Sequence, residues 1–330
     1  MDDCFCADFY RYVEEDIIGS ATNYQTYILI ECPPSWTAEA FDSKAVPQNL
    51  KNLVTEVNQQ HLSIKFILIS SDKSERINST NILIFEQTKE RLSQAYQKYE
   101  FNVGTIEEVA DVIRKYLAGE VPDYEANKSR TRDILVCTPG SHEQCYTQYG
   151  IPLYRQALAT VAELSLSNIR IWKSRHFGGH RSAPTIIDFP EGRYYGVLDA
   201  ESFRFILMRT GNIKCLNRVY RGWGLLPIPL QIMERELILS YGWDWFNYNV
   251  AGRMLEPNSD NNVRQGEITL EKPDGSLYTY QAEIRRNQRQ ILQIAGSCNI
   301  LKESNIVNYS LKNLNLCIYC EPLQNALFYS

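Results

Sequence analysis

RDILVCTPGSHEQC, residues 132–145, decides how the chain is to be read. Arg132 to Val136 is a β-rich apolar run that ends in Cys137-Thr138-Pro139-Gly140, so a buried strand delivers a cysteine to the start of a turn. Pro152 to Leu166 then places Leu153, Ala157, Val161 and Leu164 on one side of a helix. Ile169 to Lys173 (IRIWK) forms a second strand, and the loop after it reads Arg175-His176-Phe177-Gly178-Gly179-His180-Arg181. Thr185 to Phe189 and Arg193 to Val197 are strands joined by Pro190-Glu191-Gly192. Asp199 caps a helix that ends near Gly211. The order is β-α-β-β-β-α.

Outward from this unit, the same order occurs once before it. Tyr27 to Glu31 (YILIE), a helix over residues 48–60, Ile64 to Ile69, Asn81 to Phe85 and Tyr96 to Val103 are followed by a helix opened by Thr105, Glu107 and Glu108. The fold class is therefore α/β, with tandem β-α-β-β-β-α units and a C-terminal helical and β-hairpin region. The expected division is 1–120, 131–212 and 213–330. In the last region Leu226 to Tyr241 is helical, Pro273-Asp274-Gly275-Ser276 turns a hairpin, and residues 291–294 and 309–319 add strands. Cys32 and Cys137 each close the first strand of a unit. Ser70-Ser71-Asp72-Lys73 stands in the first unit where the second has its histidine pair, which points to a duplication in which one copy kept ligands.

At 330 residues, 44% hydrophobic and 22% charged, the composition is that of a globular protein. The net charge of −5 gives no reason to expect nucleic acid or an anionic membrane as partner. The acidic start Met1-Asp2-Asp3 does not read as a secretory signal, and no apolar run reaches the ~18 residues of a membrane span. A cytoplasmic protein with mostly reduced thiols is expected from nine cysteines, an odd number.

Cys137 and Cys145, spaced C-x7-C, and His176 and His180, spaced H-x3-H, supply soft thiolate and borderline imidazole donors of the kind that select zinc, copper or iron–sulfur centres. Both segments follow neighbouring parallel strands and so emerge on one sheet edge. Gly178-Gly179 argues against a helix there and allows close backbone approach. Structural zinc usually has shorter cysteine spacing. Rieske centres put one cysteine and one histidine in each of two boxes, which differs from the order here. Spacing alone leaves a cluster, zinc and a metal-free site open.

The string from Cys137 to Cys145, with Tyr149-Gly150 and Pro152 behind it, followed by His176-Phe-Gly-Gly-His180-Arg181 and Ala183-Pro184, resembles the sucrase/ferredoxin-like family. Further matches are Gly19-Ser20-Ala21, residues 192–196 (GRYYG), Tyr220-Arg221-Gly222, Gln231 with Glu234, and Ser297-Cys298. The resemblance implies a thioredoxin-like ferredoxin in which Cys137, Cys145, His176 and His180 hold a [2Fe–2S] cluster, with a redox protein as partner; the spacing keeps zinc as the alternative metal. It also implies a cis-proline at Pro184 facing the ligand loop. Arg175 and Arg181 flank the histidines as docking or potential-tuning residues, beside Gly178 and Gly179. A thiol-disulfide or detoxifying oxidoreductase using Cys137 on a thioredoxin scaffold is the competing function, and a zinc-stabilised non-catalytic protein the third. A sucrase is not expected, since no pair of carboxylates is singled out for glycosidic cleavage. Cys317-x-x-Cys320, in an apparent strand, reads as a packing pair.

Overall fold

The computed structural model describes residues 16–34, 36–37, 39–72, 79–120, 131–138, 144–179, 182–255, 262–295 and 300–321, without side-chain placement at 144–147, 288–295 and 300–308. The first unit contains strands β1 (Thr26–Glu31), β2 (Ile64–Ser70), β3 (Thr80–Glu86) and β4 (Gln97–Val103), with helices α1 (Gln48–Gln59) and α2 (Val109–Leu117). The second contains β5 (Arg132–Cys137), α3 (Gln144–Glu163), β6 (Ile169–Ser174), β7 (Ile186–Phe189), β8 (Arg193–Tyr195) and α4 (Ala200–Met208). A short helix α5 (Leu216–Val219) leads into β9 (Tyr220–Trp223) and α6 (Ile228–Tyr241). Then come β10 (Asn249–Met254), β11 (Val263–Glu271), β12 (Leu277–Ala295) and β13 (Ile300–Cys320).

Nine strands form one sheet in the order β4-β3-β1-β2-β6-β5-β7-β8-β9, and the last four form a separate antiparallel sheet, β10-β11-β12-β13. Within the large sheet β1 and β2 are parallel, as are β5 and β6. Each unit is thus thioredoxin-like in connectivity, and the order of one is the reverse of the other's. They meet where the second strand of each pairs antiparallel, through only Ile69↔Ser174 and Ser70↔Lys173.

Side-chain alternation explains why these strands read as continuous apolar runs rather than half-polar ones. Ile28 and Ile30 of β1 face Leu50, Leu53 and Ile113 on α1 and α2. Their neighbours Tyr27 and Leu29 face Leu135, Ile187, Phe189 and Tyr194 of the second unit. Ile134 and Val136 of β5 point the other way, to α3, α4 and α6. Both faces of both units are therefore covered, each by helices on one side and by the other unit on the other. Phe85 stacks on Phe189 at 4.3 Å between ring centroids, and the Tyr27 and Tyr194 hydroxyls are 2.8 Å apart. At the rim of this contact Lys98 of β4 and Arg170 of β6 each lie 2.7 Å from the fully buried Asp133 carboxylate, which also accepts from Trp172 Nε1.

Three expectations need correction. Helix α3 begins at Gln144, not Pro152, so Cys145 sits on its first turn rather than in a free loop. Pro152 lies inside the helix, where its missing N–H removes one bond without ending the element. Cys32 is not the structural counterpart of Cys137: the registers Glu31↔Ile69 and Cys137↔Ser174 put Glu31 in that position. Cys32 falls one residue later and packs with the α1 layer, because a shift of one reverses the face. Cys317 and Cys320 are exposed on β13, an edge strand, rather than packed.

Candidate metal centre

Cys137 is the last residue of β5 and is fully buried. Its backbone N–H donates to the Thr185 carbonyl at 3.1 Å, and the Thr138 N–H donates to the Ser174 carbonyl at 3.1 Å. These bonds tie the end of β5 to both ends of the loop that carries the histidines. The Ala183–Pro184 peptide is cis, as expected, and its following residue is the one bonded to Cys137. Pro184 therefore stands beside the cysteine strand end.

Helix α3 approaches this end closely. A methyl at Gly150 would lie 2.1 Å from the Cys137 carbonyl oxygen, so only glycine allows the helix carrying Cys145 to pack where it does. The Cys145 side chain lies outside the described residues.

His176 follows β6 by two residues and is partly exposed, while Arg175 before it is buried and donates its backbone N–H to the Leu68 carbonyl of β2 at 3.1 Å. Phe177 turns inward against Tyr194, at 6.2 Å between centroids. Gly178 and Gly179 have φ of +99° and +82°, so the loop is non-helical as read. The close approach at Gly179 is to protein: an added Cβ would lie 2.4 Å from the Arg221 guanidinium. His180 and Arg181 lie outside the described residues.

Arg221, on β9 and 1% exposed, holds this loop from behind. Its NH1 donates to the Gly178 carbonyl at 3.1 Å, its Nε to Ser20 Oγ at 3.0 Å and its NH2 to the Ser20 carbonyl at 2.8 Å. Gln231 reaches the Ala21 carbonyl, and Glu234 pairs with Arg193 and accepts from the Tyr220 hydroxyl. The scattered fragments around residues 19–21, 192–196, 220–222 and 231–234 are thus one buried network behind the histidine loop. Composition alone could not single out Arg221; its signal was membership of a short motif whose partners are about 40 and 200 positions away.

The donor chemistry suits a metal cluster. Thr138 Oγ1 and Thr185 Oγ1, immediately beside Cys137, are buried without a hydrogen-bond partner among the described residues. Unsatisfied buried hydroxyls call for an acceptor, and thiolate or inorganic sulfide would serve. Among the described residues no group of three or more His, Cys, Asp or Glu side chains is gathered for a metal ion. Two of the four expected ligand side chains are not among those described. The thiols of Cys32 and Cys215 are pushed up to about 11 by burial, which keeps them protonated and poor ligands at neutral pH.

A family model described as sucrase/ferredoxin-like matches residues 17–222. The match runs from the strand-entry segment at Gly19 through the Arg221 clamp. No curated protein matches the chain. Among solved structures, a thioredoxin-like [2Fe–2S] ferredoxin from Aquifex aeolicus is similar at 17% identity and a TM-score of 0.25, over 29% of this chain and 96% of that one. Among the described residues no helix is long and apolar enough to cross a membrane.

Proposed function

This chain belongs to the sucrase/ferredoxin-like family, and we propose that it is a one-electron carrier whose [2Fe–2S] cluster is held by Cys137, Cys145, His176 and His180. The observation that carries the reading is the shared edge. Cys137 and Ser174 are register partners on parallel strands, so the cysteine and the histidine loop leave the sheet side by side. The cis Ala183–Pro184 bond and the unsatisfied Thr138 and Thr185 hydroxyls lie at the same edge.

When bound, the cluster supplies reversible one-electron storage, and neutral imidazoles raise its potential above that of a four-thiolate centre. The chain's own residues supply the rest. Cys137 is fully buried, which excludes water from the thiolate side. His176 is partly exposed, which gives electrons a short route to a partner on the histidine side. Thr138 and Thr185 can donate hydrogen bonds to sulfur, and Arg221 fixes the loop carbonyl at Gly178.

Purification under nitrogen, with an absorption spectrum and iron and sulfide analysis, tests this. A coloured protein with about two irons and two sulfides per chain is expected. A colourless protein holding about one zinc would refute the reading in favour of a structural site. Cys137→Ala should lose the colour, whereas His176→Cys should keep a cluster at lower potential. An unchanged potential in the second variant would remove His176 from the ligand set.

A further inference from the structure

Strands β2 and β6 pair through two residues and then part. The opening is a groove of about 820 Å³ lined by Ile64 to Leu68 of β2, by the segment Glu39 to Asp42 with its two carboxylates, by Val54, Asn58 and His61 near α1, and by Arg175 and His176 at one end. Along β2 the backbone directions alternate, and three hydrogen bonds set the phase. Ser63 and Ile69 turn their carbonyls to the β1 side, where Thr26 N–H and Cys32 N–H donate to them, while Leu68 turns its carbonyl to the Arg175 N–H. Even-numbered residues therefore face the groove. Phe66 sends both its N–H and its C=O there, and Ile64 its C=O, with β6 no longer alongside to pair them.

Lys65 stands in the same groove. Its ammonium lies 5.9 Å from the Tyr24 ring centroid, and among the described residues neither Glu39 nor Asp42 of the groove pairs with it. Burial lowers its pKa, the mark of an ammonium partly stripped of water without compensating charge. A sheet edge of this kind pairs with another extended chain unless it is blocked by proline, a bulge or a cover. Ile64 to Ser70 contains no proline, and Ile64 to Ile69 keep an unbroken register against β1.

We propose that the groove beside β2 takes an extended segment of a partner protein, added as a strand on Phe66, with a carboxylate side chain opposite Lys65. Main-chain bonds to Phe66 supply the affinity of such an addition and the cross-strand charge pair its register. The added strand continues the direction of β6 and brings the partner against His176. That the partner exchanges electrons rests on the cluster reading above; the strand addition does not.

Hydrogen exchange on the native protein, followed by NMR at single amides, tests the proposal. In the free protein the Phe66 amide should exchange far faster than those of Ile67 and Ile69, which bond to β1. The probe is a synthetic peptide of about nine residues, alternating threonine and valine around a central glutamate. Its binding should slow Phe66 exchange by at least about tenfold. Replacing the glutamate by lysine should weaken binding by about three- to tenfold, and Lys65→Glu should reverse that preference. A Phe66 amide as slow as Ile67 in the free protein, or no protection at saturating peptide, overturns the strand addition. So does a glutamate-to-lysine preference unaltered in Lys65→Glu. Peptide binding by a colourless protein would leave the groove assigned and refute only the electron carrier.

Discussion

Gly150→Ala is the sharpest test of how the candidate centre is built. Glycine inside a helix is ordinarily a liability, and alanine there stabilises by up to about 1 kcal/mol. Here the new methyl would sit 2.1 Å from the Cys137 carbonyl oxygen, 3.2 Å from its carbon and 3.5 Å from Thr138 Cα. All three atoms are backbone, so no side chain can swing away. Relief to an ordinary contact requires helix α3 to withdraw from β5 by roughly 1 Å. Overpacking of this kind costs about 1–3 kcal/mol. The contact term, about 2 kcal/mol at the middle of that range, exceeds a propensity gain of at most about 1, so a net loss of about 1 kcal/mol or more is expected. Because α3 also carries Cys145, the withdrawal separates Cys145 from Cys137, and any visible absorbance from a cluster held between them should fall. Urea unfolding under nitrogen, compared with the native chain, gives the sign directly. A variant as stable as the parent or about 1 kcal/mol more stable, as propensity alone dictates, refutes the close approach.

Three further outcomes follow from the same geometry. Arg221→Lys keeps the charge but cannot reproduce the three bonds to Ser20 and Gly178; a loss of about 2–4 kcal/mol is expected, with faster amide exchange at Phe177 to Gly179 and Ser182 than in β1. Cys32→Ala should leave any cluster spectrum unchanged, because Cys32 packs with the α1 layer; a bleached protein would show that the first unit also holds ligands. Burial by itself would raise the pKa of Glu100, but hydrogen bonds from Arg170 and the charges of Arg170 and Lys98 outweigh it and the carboxyl titrates lower in the fold. A depressed folded pKa contributes stability above the unfolded value of ~4.3 that is lost as pH falls through the folded one. Glu100→Gln should therefore be less stable at neutral pH, with the difference shrinking below about pH 4 in acid-unfolding curves. A difference independent of pH would assign Glu100 a packing role instead.

The sequence by itself determined the repeated β-α-β-β-β-α order, since apolar periodicity and caps such as Asp199 and Thr105 are local signals set by neighbours along the chain. It also placed Cys137 at a strand end and His176 in a non-helical loop, while the family resemblance implied the cis bond at Pro184, and the structure shows all three. Only the tertiary structure decided how the two units meet. Continuous apolar runs report that both faces of a strand are covered, yet not by what, and here one cover is the other unit's sheet. The same holds for Cys32, whose one-residue offset from Cys137 turns it to the opposite face. It holds too for Gly150 and Arg221, whose demands come from atoms on other elements. The open edge of β2 is legible in no stretch of sequence, because it exists only where β6 diverges. Local chemistry is written along the chain; proximity between distant segments is set by packing.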